Sequence, residues 1–163
     1  MSLPKLIVVL GTTACGKSGL GVELALRFGG EIVSADSRQV YRGLDLGAGK
    51  ITPQEMRGVP HHMLDVAEPN DPYSVAQFQR GAYGAIDGIL SRGKLPFLVG
   101  GTGLWLDALV RGRTFAGGQA GSPVRRELQR RLQEEGIAPL LAELERVDPE
   151  SAARLHPADE KRI

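Results

Sequence analysis

The sequence predicts an α/β fold, a parallel sheet covered by helices on both faces, followed by a small helical subdomain. Three observations predict it. Short, β-branched apolar runs alternate with helical periods over the first 110 residues, the pattern of strands joined by crossover helices. A glycine-rich motif joins the first run to the first helix, and 17 of the 22 glycines lie within those 110 residues. Beyond Gly112 the strand signals stop and only helical periods remain. A length of 163 residues with 42% hydrophobic content suits one compact domain with an appendage. The glycines keep no Gly-X-Y period, which excludes collagen, and no apolar run approaches the roughly 20 residues of a membrane span.

The elements follow in order. Lys5 to Leu10 reads as a buried strand feeding a turn at Gly11. A helix is expected over Lys17 to Phe28, with Leu20, Leu24 and Phe28 as its apolar stripe and Gly29-Gly30 as its stop. Glu31 to Ala35 is the second strand, expected to lie beside the first and to end at Asp36. Residues 41 to 73, rich in Gly, Pro and polar side chains, read as functional loops with one helical turn. Ser74 to Gln77 forms a capping box, opening a helix to about Arg92 whose apolar face is Val75, Phe78, Ala82, Ile86 and Ile89. Leu95 to Val99 is the third strand; it enters Gly100-Gly101-Thr102-Gly103 and a short helix through Trp105, Leu106 and Leu109. After a linker over residues 113 to 121, Ser122 caps a helix with Pro123 in its first turn and Val124, Leu128 and Leu132 on one stripe. Gly136 ends it, and Leu140, Leu141, Leu144 and Val147 mark a second amphipathic helix. The expected domains are therefore 1–112, an α/β core, and 122–163, a helical subdomain, with 113–121 as the linker.

The chemistry centres on Gly11-Thr12-Thr13-Ala14-Cys15-Gly16-Lys17-Ser18, which fits the P-loop pattern G-x-x-x-x-G-K-[ST] between a strand and a helix. With this composition the pattern arises by chance in about 0.7% of such chains. The fold class is therefore P-loop NTPase-like. Backbone N–H groups around the two glycines can cradle phosphate oxygens, Lys17 supplies charge, and the Ser18 hydroxyl suits Mg²⁺. Cys15 reads as a small side chain filling the loop rather than a reactive thiol. A kinase is expected to place an acid after a hydrophobic strand to hold Mg²⁺, and a base to deprotonate the acceptor hydroxyl. Here the third strand ends in Gly100-Gly101-Thr102-Gly103, with no acid. Asp36, at the tip of the second strand, reads equally as the cap of its own turn or as a group at the sheet edge where ligands bind. His61-His62 lacks a third ligand at zinc spacing, so it reads as hydrogen-bonding the loop. Trp105 reads as core.

Four segments in order carry a family resemblance: Gly11 to Ser18, Ser34-Ala35-Asp36-Ser37-Arg38-Gln39-Val40-Tyr41-Arg42-Gly43, Gly58 to Asp65, and Leu98 to Leu104. Together they resemble the signatures of the tRNA dimethylallyltransferase (tRNA isopentenyltransferase) family, and the likeness continues through Asp148-Pro149 and His156-Pro157. It departs at Thr12, where the family usually has proline, and at Trp105, where tyrosine is common. The resemblance implies transfer of a dimethylallyl group from dimethylallyl diphosphate to the exocyclic amine of the adenosine 3′ to the anticodon, releasing diphosphate. It implies Asp36 as the base, with Lys17 and Thr102 as the other catalytic groups, and Gly11 to Ser18 around the diphosphate with Mg²⁺ on Ser18. It further implies tRNA contacts at Asp36, Ser37, Arg38, Gln39, Thr102, Arg125, Lys161 and Arg162. By the same resemblance the chain corresponds to an N-terminal portion, Lys161-Arg162 opening a motif that in the family continues.

Adenylate isopentenyltransferase, a small-molecule kinase using ATP, and an inactive diphosphate- or RNA-binding fragment are the alternatives. The net charge of +1 announces no nucleic-acid partner by itself. A single cysteine, no signal-peptide pattern and no long apolar run lead to the expectation of a soluble, cytoplasmic protein without a membrane partner, and a monomer is expected.

Overall fold

The computed structural model describes residues 5–113, 122–160 and 162–163. The chain divides into two compact units, Met1–Thr114 and Phe115–Ile163. Of the expected linker, residues 114–121 lie outside the described residues.

The first unit runs β1 (Ile7–Leu10), α1 (Lys17–Phe28), β2 (Gly30–Ser34), α2 (Pro53–Met56), β3 (His61–His62), α3 (Val75–Ser91), β4 (Leu95–Gly100) and α4 (Gly103–Val110). The strands form one parallel sheet in the order β1-β4-β2-β3. The expected neighbourhood of the first two strands is thereby corrected: β4 lies between them. Its six residues are the longest apolar run and five of them are buried, which suits a position hydrogen-bonded on both sides. β1, whose four residues alternate between half-buried and exposed, occupies an edge. Leu10 pairs with Gly100 and Ser34 with Val99, so the carboxyl ends of the three strands are level.

Side chains alternate across the sheet, as the pleat requires. Val33 and Leu98 face a core built with Phe78, Ala82, Ile86 and Ile89 of α3 and Trp105, Leu106 and Leu109 of α4. Ile32, Phe97 and Val99 face Val22 and Ala25 of α1, together with Ile51 and Val59. Trp105 is core as expected, its ring stacked 4.3 Å from that of Phe78.

The buried stripe of α1 is corrected: Gly21, Val22 and Ala25 are buried, whereas Leu20 is 53% and Phe28 56% exposed. Close approach explains the choice of small residues. A Cβ on Gly21 would lie 2.8 Å from Val99 Cγ2, so the helix presses its smallest side chains on the sheet. The long loop is corrected too. α2 is its one helical turn, with Thr52 and Glu55 forming a capping box, but His61–His62 additionally pairs with Ile32–Val33 as a strand.

The second unit contains α5 (Pro123–Glu135), α6 (Ile137–Val147) and α7 (Pro149–Arg154). Ser122 Oγ accepts from the Arg125 N–H with Pro123 in the first turn, as expected. Asp148 Oδ1 repeats the arrangement on Ser151, with Pro149 opening a helix that periodicity was too short to reveal. Arg131 pairs with Glu143 at 2.9 Å, linking α5 to α6. Leu140 and Ala152 are buried, but Val124 is 69% exposed and Leu128 37%, so the expected stripe of α5 is not a core face at its first turns. No helix among the described residues is long and apolar enough to cross a membrane.

Candidate active site

The loop between β1 and α1 wraps the helix start. Gly16 adopts φ 84°, a left-handed conformation that glycine takes without strain, and Ala14 adopts φ 62°. Lys17 opens α1, and its Nζ curls back to donate to the Thr12 carbonyl oxygen, 3.9 Å from Cys15 Sγ. Ser18 follows in the first helical turn. A Cβ on Gly11 would meet Cys15 Sγ at 2.8 Å, so that glycine leaves room for the loop to fold over itself. The motif thus places a helix N-terminus, one ammonium and one hydroxyl around a concave backbone, the elements of an anion cradle.

Two strands away, the chain leaving β2 makes a turn closed by its own acid. Asp36 Oδ1 accepts from the Arg38 N–H at 2.9 Å and from the Gln39 N–H at 3.4 Å. Among the described residues Oδ2 has no such partner. One oxygen of Asp36 therefore caps the turn, as its local reading expects, and the other is left unengaged at the sheet edge. Thr102, just past the tip of β4, is tied to this turn: its Oγ1 accepts from the Ser37 N–H at 3.0 Å, and its own N–H donates to the Ala35 carbonyl at 3.3 Å. A Cβ on Gly100 would sit 2.2 Å from the Ala35 oxygen, so only glycine allows the ends of β2 and β4 this contact.

A cleft of about 940 Å³ opens above these strand ends. Thr13, Ala14, Gly16, Lys17 and Ser18 line one side, Asp36 to Gln39 another, and Gly100 to Thr102 lie between them. The structure thus brings together most of the expected site in the first unit. Sequence reasoning missed the apolar floor of Val22, Ile32, Ile51 and Val99, and the turn Gly47–Gly49. Their signal was weak, since each strand or helix residue also fits a plain core role. It also missed Ser34. Buried at 4% exposure, its Oγ donates to Gln39 Oε1 at 3.2 Å and so orients the amide, whose Nε2 donates to the carbonyls of Ala48 and Gly49.

The two histidines diverge. His62 Nε2 meets Glu31 Oε2 at 2.7 Å, away from the cleft, whereas His61 lies on its wall with Nδ1 2.8 Å from the Val59 carbonyl. Burial pushes the His61 pKa below its ordinary 6.5 against the opposing pull of that carbonyl. The neutral ring must then carry its proton on Nδ1, which leaves Nε2 as an acceptor. No group of three or more His, Cys, Asp or Glu residues that could hold a metal occurs among the described residues. Arg125 and Arg162 belong to the second unit, both exposed, and Arg162 lies 3.5 Å from Asp159. Lys161 lies outside the described residues.

A parallel sheet with this loop after its first strand defines an α/β protein of P-loop NTPase-like fold. The family model described as IPP transferase matches residues 39–163, and that for isopentenyl transferase residues 4–68. The chain belongs to the IPP transferase family. A tRNA dimethylallyltransferase from Geobacillus thermodenitrificans is 46% identical over 159 residues, which are 98% of this chain and 50% of that protein. tRNA dimethylallyltransferase 1 from Trichlorobacter lovleyi is 50% identical over 161 residues, 98% of this chain and 52% of that protein. Among solved structures, the tRNA isopentenylpyrophosphate transferase from Bacillus halodurans superposes with a TM-score of 0.68 at 44% identity, covering 97% of this chain and 52% of that one. A eukaryotic dimethylallyltransferase acting on tRNA gives a TM-score of 0.85 at 32% identity over 98% of this chain and 39% of the other. The chain spans about half the length of the curated relatives it matches.

Proposed function

We propose that the chain takes part in transferring a dimethylallyl group from dimethylallyl diphosphate to the exocyclic amine of the adenosine 3′ to the anticodon of tRNA. The observation that carries this reading is the placement of an anion cradle and a half-free carboxylate on the same cleft, with Thr102 tied to the carboxylate's turn between them. A kinase needs both the cradle and a base, but also an acid after a hydrophobic strand to hold Mg²⁺, where this chain has Gly100 to Gly103; a proton acceptor facing the cradle suits attack by a weak nitrogen nucleophile. The adenine amine attacks the first carbon of the dimethylallyl group, the carbon–oxygen bond to diphosphate breaks, and the amine proton passes to Asp36 Oδ2. A positioned base of this kind contributes roughly 10²- to 10⁴-fold. Lys17 and the loop N–H groups of residues 11–18 stabilise the charge gathering on the departing diphosphate. The donor set fits Mg²⁺ only together with the ligand: Ser18 offers one hydroxyl, and diphosphate oxygens and water would supply the rest of the six oxygens that ion prefers. Bound there, Mg²⁺ would add Lewis-acid stabilisation of the leaving group. The apolar floor suits the prenyl chain, and Ser37, Arg38, Gln39, Thr102, Arg125, Lys161 and Arg162 are the proposed tRNA contacts.

The test is incubation with labelled dimethylallyl diphosphate and an anticodon stem-loop RNA, beside AMP and beside ATP without a prenyl donor. Label on the RNA is expected. Label on AMP in place of RNA moves the acceptor to a free nucleotide, and phosphoryl transfer from ATP without prenylation refutes the reading. Diphosphate binding without transfer confines this chain's part to holding the donor.

A further inference from the structure

Behind the cleft wall lies a cation that the mechanism does not use. Lys50 Nζ donates to Asp45 Oδ1 at 2.6 Å, to Asp65 Oδ1 at 2.6 Å and to the Tyr41 carbonyl at 2.9 Å, and its side chain is 6% exposed. An ammonium has three N–H donors, and all are taken. Lys50 therefore has none to offer a phosphate, unlike Lys17, and it is not among the residues on the cleft wall.

What Lys50 grips is the chain itself. Its acceptors come from three separate points of a segment that has little regular structure. Its own N–H donates to the Asp45 carbonyl at 3.0 Å, and the Gly49 N–H donates to Leu46 O at 3.2 Å, which closes residues 45–50 into a compact turn. Asp65 holds φ 53°, uncommon for a residue with a side chain. It is kept there by its carboxylate on Lys50 and by its carbonyl accepting from Arg42 Nε at 2.9 Å. From the cleft side, Gln39 Nε2 donates to the carbonyls of Ala48 and Gly49. The turn is thus clamped from behind by Lys50 and from the front by Gln39, the side of the cleft that also carries Asp36.

We propose that Lys50 is a positioning residue for the acceptor: its ammonium holds the turn 45–50 so that Gln39 and the Gly47–Gly49 backbone present a preformed wall to the incoming nucleoside. The phosphate cradle, two strands away, does not depend on it. The identity of the acceptor rests on the reading above; the clamp itself does not.

Lys50→Met keeps the apolar stem and removes the three donors. Disturbing such a supporting contact typically costs about 10-fold in affinity, so the dissociation constant of the stem-loop RNA is expected to rise about that much while that of diphosphate stays within about 2-fold. Lys50→Arg, which restores a cation with several donors, is expected to recover most of the RNA affinity. Hydrogen exchange supplies the ligand-free readout: the amides of Gly49 and Lys50 should exchange at least about 10-fold faster in Lys50→Met, with α1 and its preceding loop unchanged. Equal weakening of RNA and diphosphate would show general destabilisation and overturn the proposal. Unchanged exchange at Gly49 and Lys50 would overturn it whatever the ligands do. If the unaltered chain binds no stem-loop RNA, the acceptor reading fails separately, and the exchange result alone decides whether Lys50 holds the turn.

Discussion

Glu31→Gln should destabilise the protein by about 2–3 kcal/mol without touching the cleft. The carboxylate of Glu31, only 3% exposed, accepts from Arg92 Nη2 at 2.7 Å, from His62 Nε2 at 2.7 Å and from Lys94 Nζ at 3.2 Å. It thereby ties β2 and β3 to the start of β4, at the end of the sheet opposite the cleft. Arg92 is the main reason its pKa falls from 4.5 to about 2; burial opposes the fall, and His62 and Lys94 add to it. At about 1.36 kcal/mol per pH unit this corresponds to about 3 kcal/mol favouring the ionised folded state. Arg92 and Lys94 are 48% and 44% exposed and regain water when the carboxylate is lost, so the mutational cost falls at or below that figure. Because the folded-state pKa lies below the unfolded one, the contribution is complete above about pH 4.5 and disappears as the pH falls through 2. The gap between the two proteins should therefore shrink from about 2–3 kcal/mol at pH 7 to about 1 kcal/mol at pH 3. Urea unfolding at both pH values measures it, as a lower midpoint at unchanged slope. A gap of equal size at pH 3 and pH 7 would refute the electrostatic reasoning, and diphosphate affinity altered at a temperature where both proteins are folded would refute the claimed separation from the cleft.

Asp36→Ala should abolish prenyl transfer while diphosphate affinity, measured calorimetrically, changes less than about 3-fold; a large loss of affinity would instead assign Asp36 to the donor. Lys17→Ala should weaken diphosphate binding by about 10- to 100-fold, since it removes a charge-assisted contact of about 1.5–3 kcal/mol; unchanged affinity would take Lys17 out of the cradle. Gly100→Ala should lower stability by about 1–3 kcal/mol in thermal unfolding, because the new methyl must displace the Ala35 carbonyl that lies 2.2 Å from its position. Trp105→Ala should cost about 3–5 kcal/mol in the same measurement, as expected for emptying a site stacked on Phe78.

Locally encoded features were legible in the sequence. Ser74 and Gln77 announce the start of α3, Gly29 the end of α1, and Gly11 to Ser18 the cradle, because each depends on residues within a turn or two of one another. Features set by distant partners were not. The two-residue β3 has no period to detect and exists only through Ile32 and Val33. The place of β4 between β1 and β2 follows from a competition among strands for the buried centre, which no single segment records. Hydrophobic spacing favoured the large side chains of α1, but the helix lies so near the sheet that Gly21, Val22 and Ala25 take the contact. In the site, Asp36 and Thr102 were visible as strand-end residues, whereas the orientation of Gln39 depends on Ser34 behind it and on a turn that a lysine fixes through Asp65, fifteen residues away.

The strand between β1 and β2 acts as a gauge. Neighbouring strands lie about 4.8 Å apart, so the loop after β1 and the loop after β2 are separated by roughly 10 Å. A single phosphate seated in the first loop ends well short of the second. An ester of diphosphate carries its reacting carbon beyond two phosphorus atoms and reaches across. The order of strands thus sets the distance between the cradle and the Asp36 turn before any side chain acts, and exchanging the positions of β4 and β2 would bring the two loops to roughly 5 Å without altering one residue of either.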